Sequence, residues 1–205
     1  MERTGLALDV TRTALLAMDC QTGLVGVYTK PQDAFVERVS KAVAAARKSG
    51  MPVIMVQVGF RPGLPEVSSR NKLFAAVKSS PRHQQFFAGA SGAIHPSLGP
   101  EAGDIVIVKH RVSAFAGTDL EMILSSKAID TLVLFGIATS GVVLSTLVEA
   151  FDADFRIVVI ADCCADLDDD LHRTLLQRLF PARGEVVTAD EFVTAVAAAP
   201  SGLSE

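Results

Sequence analysis

Two charged residues stand at the ends of apolar runs, where acid–base chemistry can be supported. Asp19 follows Ala14–Met18 directly, and Lys109 follows Ile105–Val108 in the same way. A charge at the end of a buried strand is costly unless it is paired or functional. Because the two runs predict inner strands with matching ends, we expect Asp19 and Lys109 to share a cleft. For either residue alone, a side chain that turns into solvent, or a cap for the next segment, is an equal alternative.

The turn after the apolar run Thr131–Phe135 is a second place for chemistry. Its sequence is GIATSGVVLST (136–146), a stretch of small residues that opens a predicted helix. Such strand-to-helix turns often carry a catalytic nucleophile. Thr139 and Ser140 offer hydroxyl groups there, but hydroxyls at a helix start commonly satisfy free N–H groups. The motifs GxSxG, GxGxxG and GxxxxGK[ST] are absent from the chain.

The remaining reactive side chains give weaker signals. Arg61 is the one cation in the stiff stretch GFRPGLP (59–65), and its guanidinium suits a carboxylate substrate. An ordinary surface arginine is an equal alternative. The four histidines show no paired ligand spacing, so we expect no metal site. We interpret Cys20, Cys163 and Cys164 as buried thiols. The acidic run 162–170 suits a cation or, as the simpler interpretation, a solvated loop and a helix start.

Six short apolar runs predict the strands that position these residues: Thr13–Met18, Pro52–Val58, Asp104–Val108, Thr131–Phe135, Arg156–Ala161 and Glu185–Val187. Helical patterns lie between or after them: Asp33–Ser49, Ser69–Ser79, Gly117–Ser126, Thr139–Asp152, Asp168–Leu179 and Asp190–Ala197. The alternation predicts an α/β fold, a doubly wound parallel sheet of about six strands with helices on both faces. Ligands in such sheets bind beyond the carboxyl ends of the strands.

The composition limits the classes of partner. A chain of 205 residues that is 49% hydrophobic suits one domain over residues 1–205. The net charge of −4, without a basic run, argues against nucleic acid and anionic membrane surfaces as partners. No apolar stretch is long enough to span a bilayer, and no secretory signal is recognisable. With three cysteines and no disulfide pattern, we expect a cytoplasmic protein.

Three segments together resemble the isochorismatase-like cysteine hydrolases: ALLAMDCQTGLV (14–25), VIVKHRVSAFAGTDLEMIL (106–124) and GIATSGVVLST (136–146). They occur in the order and spacing of that family, and the resemblance extends through DCCADLDDDLH (162–172). It implies a Rossmann-like three-layer α/β/α fold, usually assembled as homodimers or homotetramers, and a small-molecule substrate. The family includes nicotinamidases, N-carbamoylsarcosine amidohydrolases and isochorismatases.

The resemblance also implies roles for individual residues. The family's catalytic Asp and Lys fall on Asp19 and Lys109, but the position of its nucleophilic Cys is taken by Val142. The family's non-proline cis peptide would fall at Ile137–Ala138, and its oxyanion donors would be the N–H groups of Ala138 and Val142. The metal-binding positions of nicotinamidases meet VGFRP (58–62), so neither a metal nor another cofactor is expected.

Valine cannot form a thioester, so the resemblance implies a hydrolase without a covalent intermediate. Some isochorismatases of the family also lack this Cys and cleave a vinyl ether by acid catalysis. We therefore expect Asp19 to act as general acid beside Lys109, with Gln21, Arg61, Phe115 and Thr139 around the substrate. Lys109 would lower the pKa of Asp19 and burial would raise it, so the sequence leaves the direction of the net pKa shift open. Two alternatives remain: Asp19 acting as a base on water, and a catalytically silent binding or scaffold protein.

Overall fold

The computed structural model describes residues 5–199 and contains six strands: β1 Thr13–Met18, β2 Val53–Val58, β3 Ile105–Lys109, β4 Thr131–Gly136, β5 Arg156–Ile160 and β6 Glu185–Val187. They form one sheet in the order β3-β2-β1-β4-β5-β6. Every neighbouring pair is parallel. The predicted fold class is confirmed.

The burial of each strand follows its place in the sheet. All six residues of β1 and of β4 are buried, so both faces of the sheet are covered at its centre. This explains why their sequences are continuously apolar rather than alternating. At the edge, β3 leaves Val106 and Val108 exposed. The sequence predicts that Lys109 follows the third strand, whereas in the structure Lys109 is the last residue of β3.

The described residues form nine α-helices: α1 Thr22–Tyr28, α2 Gln32–Lys48, α3 Lys72–Ser79, α4 Pro81–Gln84, α5 Gly89–Gly92, α6 Leu120–Ser126, α7 Leu144–Asp152, α8 Asp169–Thr174 and α9 Ala189–Ala198. None of these helices is long and apolar enough to cross a membrane. The long helix α2 buries one face, which includes Phe35, Val39 and Val43, as its periodicity predicts. It also contacts α9 extensively.

Two predicted helices are interrupted by π-helical turns. The expected helix Thr139–Asp152 begins with the π-turn Thr139–Val143 before α7, and Leu175–Leu179 forms a second π-turn after α8. The short helices α1, α4 and α5 were not predicted from the sequence. Two of them, α4 and α5, lie in the irregular span 59–103, where the sequence predicts only one helix. The observed α3 starts behind Asn71, whose side chain accepts the Phe74 N–H.

Candidate active site

The candidate site lies where the order of strands reverses, between β1 and β4. The chain leaves β1 toward β2 on one side, and it leaves β4 toward β5 on the other. A crevice at such a switch point is where open α/β sheets bind ligands. Asp19 follows β1 at this point, and the cis Ile137–Ala138 peptide bond follows β4, as expected. The ends of β1 and β4 approach each other closely here. Only a glycine fits at position 136, because a Cβ there would lie 2.0 Å from the Met18 carbonyl oxygen.

Asp19 and Lys109 form a buried ion pair at the carboxyl ends of their strands. Lys109 Nζ lies 2.8 Å from Asp19 Oδ2, and the two side chains are 2% and 7% exposed. Lys109 belongs to β3, which is separated from β1 by β2, so its long side chain reaches past the end of β2. Its ammonium also donates to the Arg111 carbonyl, at 3.1 Å. The structure thus brings together the two charges that the sequence places after separate strands.

The two carboxylate oxygens of Asp19 have different surroundings. Oδ2 accepts from Lys109, whereas Oδ1 is buried and has no hydrogen-bond partner among the described residues. Burial raises the pKa of Asp19, Lys109 lowers it, and burial prevails. The backbone of Asp19 adopts a left-handed conformation, with φ of 54°. Its N–H donates to the Val56 carbonyl at 2.7 Å, which anchors the residue between β1 and β2.

The turn after β4 directs its N–H groups in two ways. Thr139 N–H donates to the Ala165 carbonyl at 2.9 Å, while the N–H groups of Gly141 and Val143 donate to the Ala138 carbonyl. Ala138 and Val142 are not donors in these bonds. The side chain of Val142 is buried and belongs to the main hydrophobic core. Position 142 therefore holds an inert side chain at the start of the helical segment beyond β4.

The three cysteines do not supply a thiolate in place of Val142. Cys20, Cys163 and Cys164 are all free and buried. Burial raises the pKa of each thiol, to about 12 for Cys164 and further for the other two. Cys20 is adjacent to Asp19, but its thiol lies 3.7 Å from the Met18 carbonyl. All three are protonated at neutral pH.

Gln21 and Thr139, two of the expected substrate residues, lie near the ends of β1 and β4. Gln21 is fully buried, and its amide donates to the Val58 and Gly92 carbonyls while its Oε1 accepts the Val58 N–H at 3.0 Å. It therefore fixes the end of β2 against α5. Thr139 is also fully buried, and its hydroxyl lies 2.8 Å from His172 Nδ1.

Arg61 and Phe115 are engaged elsewhere. Arg61 is exposed, and its guanidinium pairs with Glu66 at 3.0 Å, so its charge is already balanced within its own loop. The Phe115 ring lies 6.2 Å from the Phe155 ring, centroid to centroid. Phe155 directly precedes β5. That Phe115 walls the pocket stays a prediction.

The partners Glu66, Asp166 and His172 were not recognised from the sequence. Glu66 was not singled out, although it pairs with Arg61 and its Oε2 is buried without a partner among the described residues. Asp166 accepts the Ser140 N–H at 2.7 Å. The acidic run around Asp166 was visible in the sequence, but nothing in its spacing shows that it reaches the turn beyond β4. Within residues 5–199, no group of three His, Cys, Asp or Glu side chains is placed to hold a metal ion.

Comparisons with known proteins agree with this architecture. A family model described as the isochorismatase domain matches residues 13–191. The chain is 31% identical to the uncharacterized isochorismatase family protein YecD of Escherichia coli O157:H7, over 93% of this chain and 100% of that protein. It is 31% identical to the ureidoacrylate amidohydrolase RutB of Methylobacterium radiotolerans, over 96% and 85%. A solved isochorismatase family protein from Burkholderia thailandensis is similar with a TM-score of 0.81 and 29% identity, over 95% and 100%.

Proposed function

The chain belongs to the isochorismatase family of hydrolases, and from this premise we propose a reaction that needs no thiol. The substrate is a small carboxylate-bearing molecule, and the bond cleaved is a vinyl ether or a related bond. Asp19 and Lys109 are the catalytic residues, and no covalent intermediate forms. The observation that carries the proposal is the buried Asp19–Lys109 pair, in which one carboxylate oxygen is bound and the other is left without a partner.

Asp19 acts as the general acid. Because Oδ2 accepts from Lys109, the proton of the acid form resides on Oδ1, the oxygen with no partner in the protein. Its raised pKa favours donation near neutral pH. Transfer of this proton to the terminal carbon of a vinyl ether leaves a cation stabilised by the ether oxygen. A water molecule adds to that cation, the carbon–oxygen bond to the leaving group breaks, and the alcohol and a ketone are released. One proton of the added water restores Asp19, and the other leaves on the oxygen of the released alcohol.

Lys109 and the turn beyond β4 hold the substrate. When Asp19 is in its acid form it no longer balances the Lys109 charge, so the Lys109 ammonium can pair with the substrate carboxylate. Arg61 remains paired with Glu66. We assign the N–H groups of Ala138 and Val142 as the donors to a carboxylate or oxyanion, as the family resemblance implies. The negative charge of a bound carboxylate would raise the pKa of Asp19 further and so favour its acid form.

Covalent amide hydrolysis is not part of the proposal. RutB is named for the hydrolysis of ureidoacrylate, a compound that also carries a carboxylate. In this chain Val142 occupies the position expected for the nucleophile, and the three thiols are buried and protonated. Hydrolysis of an amide here would require Asp19 to activate water directly.

We also propose that the protein assembles as a homodimer or homotetramer.

The test is product analysis with the purified protein in deuterium oxide. Isochorismate, ureidoacrylate and simple carbamoyl compounds are incubated with protein that has or has not been treated with iodoacetamide. We expect isochorismate to yield pyruvate with one deuterium in its methyl group, because the acid delivers the proton to carbon. We also expect the rate to survive alkylation. Loss of turnover on alkylation would contradict the mechanism, and the absence of any turnover would favour the silent binding protein.

A further inference from the structure

The segment after β5 supports the turn that carries the proposed oxyanion donors. Ile137 pairs with Ala165 in an isolated parallel bridge. Thr139 N–H donates to the Ala165 carbonyl at 2.9 Å, and Ser140 N–H donates to Asp166 Oδ2 at 2.7 Å. Three consecutive contacts therefore join residues 137–140 to residues 165–166. The geometry of the donor turn depends on this segment as much as on β4.

His172 adds a side-chain contact to this support. It lies on α8, and its Nδ1 is 2.8 Å from the hydroxyl oxygen of Thr139. The same hydroxyl lies 3.2 Å from the Ala165 carbonyl. A threonine hydroxyl has one proton and can donate to one of these two acceptors at a time. Thr139 is fully buried, so bulk water does not act as a third acceptor for its hydroxyl proton.

We propose that His172 is a positioning residue that sets the donor turn through Thr139 and makes that turn sensitive to pH. When His172 is neutral with its proton on Nε2, Nδ1 accepts from the Thr139 hydroxyl at the shorter of the two distances. When His172 is protonated, Nδ1 becomes a donor, and the hydroxyl must turn its proton to the Ala165 carbonyl. The role of Ala138 and Val142 as donors to substrate rests on the proposed function, whereas the contact between His172 and Thr139 does not.

Burial favours a neutral His172, against the effect of the surrounding charges. Burial lowers the pKa of His172, and the nearby carboxylates of Asp166 and Asp169 raise it, with burial the larger effect. Tyr28 on α1 faces the same group of charges, since Asp166 contributes to the raised pKa of the Tyr28 hydroxyl. The folded-state pKa of His172 lies below the unfolded value of about 6.5. Its contribution to stability is therefore present above that pH and is lost as the pH falls through the folded-state pKa.

The experiment follows the backbone amides of Ala138 and Val142 by nitrogen-15 NMR during a pH titration of the full chain. The His172 imidazole is titrated in the same samples. We expect both amide resonances to shift with the midpoint of His172, and we expect the shift to vanish in His172→Asn, whose amide occupies the position of Nδ1 but does not titrate. The control is His83→Asn, which changes an exposed histidine and should leave the coupled shift intact.

A second pair of variants decides the outcome if His172→Asn fails to fold. Thr139→Ser keeps the hydroxyl and should retain the coupled shift, whereas Thr139→Val removes it and should abolish the shift. The proposal would be overturned if the Ala138 and Val142 amides did not respond at the midpoint of His172. It would also be overturned if their shift persisted in His172→Asn or in Thr139→Val. This measurement uses no substrate. The NMR result would therefore stand even if the protein did not turn over isochorismate. Conversely, amides that do not respond to His172 would leave the proposed roles of Asp19 and Lys109 unchanged.

Discussion

At the scale of single residues, the proposed chemistry rests on the different surroundings of the two carboxylate oxygens of Asp19. One oxygen is held by Lys109 at 2.8 Å, and the other is buried without a partner in the described chain. From the sequence, burial and Lys109 oppose each other, and their balance was open. In the structure burial prevails and the pKa of Asp19 is raised. A carboxyl group with a raised pKa is suited to donate a proton.

This direction of the pKa shift predicts the pH profile of the reaction. An acid must be protonated before it donates, so kcat/KM with isochorismate should be level at low pH. It should then fall about tenfold per pH unit above the pKa of Asp19, with a midpoint above the ordinary aspartate value of about 3.9. Steady-state rates across the pH range provide the measurement. A rate that rises through this midpoint would instead identify Asp19 as a base acting on water.

The replacement of valine at position 142 tests whether this position faces the substrate. Val142 is buried in the protein alone, but its position is the one that the family resemblance assigns to the nucleophile. In Val142→Cys we therefore expect iodoacetamide to reach the new thiol through the proposed pocket, and mass spectrometry detects one more adduct than in the wild type. The native thiols should react slowly, because all three are buried and their pKa values are raised. The matched control is Val143→Cys, at the adjacent buried position. Equal labelling of the two variants would show that position 142 does not open to the pocket.

At the scale of elements, the register of the sheet creates the site. Val58 of β2 pairs with Lys109 of β3, and Met18 of β1 pairs with Gly136 of β4. These pairings bring the carboxyl ends of four strands together, although the residues at those ends are far apart in the sequence. The ion pair is therefore a product of parallel pairing, and its energy depends on both partners being present.

The stability of the ion pair can be separated into its parts by unfolding in urea at about pH 8. Lys109→Met leaves Asp19 buried without its cation, so the free energy of unfolding should fall by about 3–5 kcal/mol. The double variant Asp19→Asn, Lys109→Met removes both charges and should recover most of that loss. The exposed pair between Arg12 and Asp130 is the control, and Arg12→Met should cost less than about 1 kcal/mol. If the loss of unfolding free energy in the double variant equalled the sum of the losses in Asp19→Asn and Lys109→Met, the two buried charges would not be coupled.

The sequence predicts the strands better than the turns between them. The bounds of β1 and β6 match the prediction, because apolar runs and their breaks define the strands. The bounds of β2, β4 and β5 differ by one residue at one end, and those of β3 differ by one residue at each end. The π-turn Thr139–Val143 was predicted as ordinary helix. Its shape depends on contacts with Ala165 and Asp166, which are remote in sequence. Helix α1 was missed because it is short and contains two glycines, Gly23 and Gly26, which disfavour a helix.

The same distinction holds for the candidate site. Asp19 and Lys109 could be identified from the sequence because charges are rare at the ends of apolar runs. The placement of Arg61 and Phe115 could not, because both lie in irregular segments where local pattern does not determine direction. Arg61 turns to Glu66, five residues further along the same loop, and Phe115 turns to Phe155. His172 was considered only as a metal ligand, since its contact with Thr139 joins separate elements.

At the scale of the whole molecule, the edge of the sheet is relevant to the proposed assembly. Parallel sheets are normally covered on both faces, yet Val106 and Val108 on one face of β3 are 44% and 46% exposed. We expect light scattering to give a mass at least twice that of the 21.6 kDa chain. Val106→Lys should lower this mass if β3 contributes to the interface, whereas Val27→Lys, at a similarly exposed position on α1, should not. A monomeric mass for the unchanged protein would contradict the proposed assembly.

The sheet, the ion pair and the turn beyond β4 together support acid catalysis by Asp19. The comparison of Asp19→Asn with Asp154→Asn tests this role, because both aspartates adopt a left-handed backbone and Asp154 is exposed. The measurement is kcat/KM for isochorismate at a pH where the wild-type protein is active. We expect Asp19→Asn to lose about 10²- to 10⁴-fold and Asp154→Asn to retain the wild-type value. Full activity in Asp19→Asn, with the protein folded, would contradict acid catalysis by this residue.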